Sequence, residues 1–84
     1  MHASGDSMTG AGIDDGDLVL IRKQEEANNG DIVAAFVDGE GNTLKRYRQC
    51  ENTVFLHPEN PKYRDIPLKD CRIQGVAVSV IKNL

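Results

Sequence analysis

The chain has 84 residues, 39% of them hydrophobic and 27% charged, with ten Lys and Arg against thirteen Asp and Glu for a net charge of −3. That length holds one domain with one core, which buries only about 60–65% of the surface that the unfolded chain exposes, and the share of apolar residues is too high for a disordered segment. An acidic balance argues against gripping nucleic acid by its phosphates, no apolar run approaches the ~20 residues of a bilayer span, and no cationic stretch leads into an apolar one as in a secretory signal.

In chain order, Gly5 to Gly12 places Ser7-Met8-Thr9 between glycines and predicts a tight turn that opens about one helical turn. Asp14-Asp15-Gly16 reads as a turn into the short apolar run Asp17-Leu18-Val19-Leu20-Ile21, of strand length. Asn28-Asn29-Gly30 closes a polar loop, and Asp31 to Val37 is apolar on both faces, as in a buried strand. Asp38-Gly39-Glu40-Gly41-Asn42 tolerates positive φ and predicts a hairpin into Thr43-Leu44-Lys45-Arg46-Tyr47-Arg48. Thr53 to Leu56 is another short strand, ended by His57-Pro58-Glu59-Asn60-Pro61, where two prolines forbid further ladder donation. Ile66-Pro67-Leu68 reads as a brief edge segment. Ile73 to Ile81 reads as a long Val-rich strand with Gly75 at a bulge or close contact. With strand signals throughout and few helical stretches, residues 1–84 are expected to form one compact all-β domain.

Cys50 and Cys71 form no C-x-x-C pair and are expected to be reduced thiols. His2 is expected to fray at its terminus and His57 leads into a proline turn, so no metal and no cofactor is expected.

The chemistry centres on Gly5-Asp6-Ser7-Met8, where a serine projects from a sharp turn. A turn feeding a helix start leaves backbone N–H groups without acceptors, and such groups can hold an oxyanion. Gly-x-Ser is common, and most examples are only turns or caps. A serine nucleophile needs a base. His57 has no evident orienting partner, so a lysine ranks above it, provided the lysine is sheltered: bringing an amine from ~10.4 to near neutrality costs roughly 4 kcal/mol. Strand alternation puts Thr43, Lys45 and Tyr47 on one face, away from Arg46 and Arg48, so the same-face neighbours of Lys45 carry no charge. Thr43 can offer its hydroxyl to the amine. A strand lysine chosen blindly is far more often merely solvated.

Gly5-Asp6-Ser7-Met8, Gly12-Ile13, Asp15-Gly16-Asp17, Asn29-Gly30-Asp31-Ile32-Val33, Thr43-Leu44-Lys45-Arg46 and Pro58-Glu59-Asn60-Pro61 together resemble, in order and over almost the whole chain, the peptidase domain of LexA-type repressors and UmuD-like proteins. The resemblance implies a strongly bent sheet or partly open barrel. It implies Ser7 as nucleophile, Lys45 as general base, Thr43 as the residue that orients the lysine, and the backbone N–H groups of Asp6 and Ser7 as oxyanion donors. It also implies a cytoplasmic protein of the SOS response to DNA damage, a homodimer, the RecA filament as co-protease, and DNA contact only through an N-terminal domain absent from this chain. Pairing along the edge of the strand Ile73 to Ile81 is one route to the dimer; burial of that strand inside the sheet is equally open.

Family members cut a small-residue bond, typically Ala-Gly, in a mobile loop tens of residues before the serine. Here only six residues precede Ser7, and Ala11-Gly12 is too near it to fold back over the site. The chain is therefore expected to keep the catalytic machinery without its own cleavage loop. The alternatives are a UmuD-like mutagenesis protein or a phage-repressor C-terminal dimerisation module with little proteolytic activity.

Overall fold

The computed structural model describes residues 1–84. Six strands, β1 (Leu18–Lys23), β2 (Ile32–Val37), β3 (Gly41–Cys50), β4 (Thr53–His57), β5 (Ile66–Pro67) and β6 (Cys71–Ile81), form one antiparallel sheet in the order β1-β6-β2-β3-β4-β5, not closed into a barrel. Two 3-10 turns, Thr9–Ala11 and Leu68–Asp70, complete it.

The apolar run of β2 places it deep in the sheet, with core on both of its faces. Val33, Ala35 and Val37 pack with Leu56 on one side, while Ala34 joins Met8, Ile13, Val19 and Leu44 on the other. Each large side chain so enclosed contributes about 1.5–3 kcal/mol. Val33 lies directly across from Lys45 in the β2–β3 register, which gives that lysine an apolar neighbour. The hairpin between them turns through Gly39 and Gly41, at φ 80 and 85, values that favour glycine.

The terminal strand combines the two alternatives. β6 lies between β1 and β2 and is the only strand that joins β1 to the rest of the sheet, but β2 flanks it only from Cys71 to Val76; from Ala77 to Ile81 it has β1 alone beside it, and its other side carries no strand. Its register slips once against each neighbour, skipping Gln74 opposite β2 and Val78 opposite β1, which makes two bulges. Gly75 beside the first bulge also packs tightly, since a Cβ there would meet the Arg22 carbonyl oxygen at 2.7 Å and the Ile21 side chain closer still.

The N-terminus corrects an expectation, because it is tied down rather than frayed. His2 bridges Leu18, the Ala3 N–H donates to the Asp17 carbonyl at 2.8 Å and the Val19 N–H to that of Met1 at 2.7 Å, so Met1 to Ala3 cover part of the β1 edge.

Asp17 closes the same corner. Only 1% exposed, it accepts from the backbone N–H groups of Asp14 (2.8 Å) and Asn83 (2.9 Å) and from Lys82 Nζ, which also reaches Asp14 Oδ2 at 2.9 Å. The Lys82 hydrogen bond, followed by those two N–H groups, lowers the Asp17 carboxyl to about 2. A carboxyl depressed on folding stabilises the fold above its ordinary value near 3.8, and that stability is lost as pH falls toward the folded value. Melting temperature is therefore expected to drop between about pH 4 and pH 2. Asp17→Asn should melt lower at neutral pH and show a flatter profile across that window; parallel profiles for the two proteins would contradict the assignment.

Candidate active site

β4 flanks β3 only from Arg46 to Cys50, so the first half of β3, up to Lys45, has no strand on that side. The turn carrying Ser7 lies against this open margin, where Ser7 and Met8 share a small pocket with Asn42, Thr43 and Leu44. Met8 fills the core on one side, and on the other Ser7 Oγ stands 3.4 Å from Lys45 Nζ. Gly5, at φ 80, makes the sharp bend. Ala11-Gly12 belongs to the following turn, as its length predicts, with Gly12 as the left-handed cap of Thr9–Ala11.

Lys45 is 2% exposed, and its Nζ has three oxygen partners: Thr43 Oγ1 at 2.6 Å, Glu40 Oε1 at 2.9 Å and Ser7 Oγ at 3.4 Å. Three acceptors match the three donors of an ammonium. The Glu40 carboxylate corrects the expectation of uncharged surroundings: alternation describes the strand, whereas Glu40 reaches Lys45 from the hairpin turn and is itself 46% exposed.

The backbone N–H groups of Asp6 and Ser7 donate to no acceptor within the chain. The Asp6 carboxylate bonds Lys62 Nζ at 2.5 Å and the Tyr63 hydroxyl, and these two bonds, Lys62 first, hold its carboxyl below the ordinary range. The same bond to Asp6 raises the Tyr63 hydroxyl. Asn60 Nδ2 donates to the Asp6 carbonyl at 2.8 Å and the Gly10 N–H to the Glu59 carbonyl at 2.7 Å, while Glu59 holds Arg46 Nε at 3.1 Å. The segment after β4 thus braces the serine turn. Gly10 permits that contact, since a Cβ there would lie 2.5 Å from the Glu59 oxygen.

His57 corrects another expectation, because it does have an orienting partner: Nδ1 lies 2.6 Å from Asp65 Oδ1. Its register partner is Arg46, which places it on the face opposite Lys45. The structure thus gathers Ser7, Lys45 and Thr43 and leaves His57 apart. Reasoning from sequence missed Glu40, Asn60, Lys62 and Tyr63 as neighbours of the serine turn. Only Asn60 carried a signal, as part of Pro58-Glu59-Asn60-Pro61.

An all-β domain with this sheet and these ordered motifs is a LexA-like C-terminal domain. The peptidase S24-like family matches residues 1–78, and the chain belongs to that family. The LexA repressor of a Parafrankia species is 50% identical over 80 residues, 95% of this chain and 32% of the relative. Those of Frankia alni and Mycobacterium leprae are 48% and 44% identical over 84 residues, covering all of this chain and 33% and 35% of theirs. The chain thus spans about a third of the length of these curated relatives. No helix is long and apolar enough to cross a membrane.

Proposed function

We propose that this chain is the serine peptidase domain of a LexA-like SOS-response repressor, with Ser7 as nucleophile and Lys45 as general base. The observation that carries the reading is a lysine buried to 2% exposure with its amine 3.4 Å from a serine hydroxyl on an open sheet margin.

In the neutral form, Lys45 Nζ takes the proton of Ser7 as Oγ bonds to the scissile carbonyl carbon. The carbonyl oxygen gains the negative charge and is held by the N–H groups of Asp6 and Ser7. As the C–N bond breaks, the Lys45 ammonium returns its proton to the leaving nitrogen. Water, deprotonated by the same amine, then attacks the acyl-serine; the ester C–O bond breaks and Oγ recovers a proton. Thr43, at 2.6 Å, directs the lysine through these transfers. The pocket beside Ser7, about 40 Å³ and walled by Met8, Ile13 and Leu44, exceeds the space a water needs and suits a side chain as small as alanine's.

The whole protein on this reading is a cytoplasmic homodimer that contacts DNA through an N-terminal domain outside this chain and is cleaved when the RecA filament acts as co-protease. The side of β6 left without a strand from Ala77 to Ile81, with Val78 and Ile81 exposed on it and Leu20 exposed on β1, supports the pairing. The test is cleavage, by this chain, of a separate peptide containing an Ala-Gly bond. Cleavage should rise with pH and vanish in Ser7→Ala and in Lys45 variants; activity that survives either change refutes the dyad.

One observation favours the second reading, a dimerisation module of low activity. The Glu40 carboxylate lies 2.9 Å from Lys45 Nζ, nearer than Ser7 Oγ at 3.4 Å, and so competes with the serine for the amine. Under the first reading, Glu40→Gln should speed cleavage several-fold at neutral pH. An unchanged rate would show that the ion pair does not restrain the site.

A further inference from the structure

The Ser7 N–H has no acceptor within the chain, and the Asp6 carbonyl of the same peptide bond points away from it, because a trans peptide is planar and its two polar groups point apart. Whatever fixes that carbonyl therefore fixes the direction of the Ser7 N–H. The Asp6 oxygen accepts from Asn60 Nδ2 at 2.8 Å, and at longer range from Thr9 Oγ1 at 3.2 Å and the Thr9 N–H at 3.4 Å. The Asn60 amide is itself held: its Oδ1 accepts the Lys62 N–H at 3.0 Å, which leaves Nδ2 as the end that faces Asp6, and its carbonyl accepts the Tyr63 N–H at 3.1 Å. Asn60 is partly buried, and it comes to the serine turn from 54 residues away in sequence.

We propose that Asn60 is a positioning residue for the oxyanion hole: by holding the Asp6 carbonyl it aims and polarises the Ser7 N–H. Asn60 touches neither substrate nor the reacting atoms. An oxyanion accelerates reaction only if its donors are already directed at the place where the charge appears, and hydrogen bonds along one peptide strengthen each other. The segment Pro58-Glu59-Asn60-Pro61 thereby gains a chemical role. Glu59 anchors it to Arg46 and Gly10, and Asn60 delivers the contact.

The proposal rests on the Ser7–Lys45 reading, and the experiment separates the two. In peptide cleavage by this chain, Asn60→Ala should lower kcat about 10–100-fold, less than deletion of an oxyanion donor. KM and the midpoint of the pH profile should stay put, since neither the substrate pocket nor Lys45 is touched. Asn60→Asp keeps the size and the Lys62 contact but turns the donor into an acceptor, so it should lose at least as much. Lys62→Ala cuts a neighbouring tether of the same turn and should leave kcat nearly unchanged. An equal fall in Lys62→Ala, or a shift of KM or pH midpoint in the Asn60 variants, would reduce Asn60 to one strut among several and overturn the proposal. If Ser7→Ala abolishes cleavage while Asn60→Ala does not affect it, the proposal alone fails; if Ser7→Ala still cleaves, the dyad reading fails. A readout independent of turnover is the Ser7 amide resonance. It should move in Asn60→Ala while the core amides of Val19 and Leu56 do not, and an unmoved Ser7 amide overturns the proposal even where no cleavage is detected.

Discussion

Lys45→Met is expected to abolish peptide cleavage, by on the order of 10⁴–10⁶-fold, while the melting temperature holds or rises. The two halves of this outcome have separate causes. Chemistry is lost because thioether sulfur cannot accept the Ser7 proton at neutral pH, and Ser7 has no other base: His57 lies on the opposite face, bound to Asp65. Stability survives because methionine fills much of the volume of the lysine stem beside Val33, and burial of a charged amine is itself costly. Removing one member of a buried ion pair usually strands the other. Here the remaining partner, Glu40, is 46% exposed and can turn to water. What is lost is the pair of hydroxyl contacts to Thr43 and Ser7, worth about 1 kcal/mol each. Peptide cleavage and a thermal melt on the same sample give the result. A variant that unfolds would mean that the ion pair holds the fold together; a variant that cleaves would remove the lysine from the mechanism.

The second large effect belongs to the fold. Gly75→Val should destabilise the domain by about 2–4 kcal/mol, enough to unfold much of a small protein at 37 °C. Even its first added carbon meets the Arg22 carbonyl at 2.7 Å, and a backbone oxygen inside a paired strand has nowhere to go. Relief requires β1 and β6 to part, and β1 has no other strand of the sheet beside it. Urea titration reads the loss directly. A midpoint within error of the parent would mean that the bulge at Gln74 absorbs the strain.

The strands were legible because their signals are local. Ile32 to Val37 reads as doubly buried from its lack of alternation, and Gly39 and Gly41 mark the hairpin from their residue type alone. Lys45 and Thr43 share a face by simple count. The position of β6 was not legible. Nine apolar-rich residues specify a strand, but where two neighbours flank it, up to Val76, and where only β1 does, beyond it, depends on which distant segments arrive. Glu40 was missed for a related reason: a turn residue obeys no face rule, and only the path of the hairpin brings its carboxylate back over the strand. His57 gains Asp65 because the chain reverses after Pro58 to lay β5 beside β4. In each case the missing information was the meeting of segments remote in sequence, which periodicity does not encode.

Two footholds keep the serine turn in place. Met8 roots it among Ala34 and Leu44, while Glu59 and Asn60 grip its other side at Gly10 and Asp6. A change that loosens one foothold leaves the other to keep the hydroxyl beside the strand that carries Lys45, so the turn gives way by degrees and not all at once.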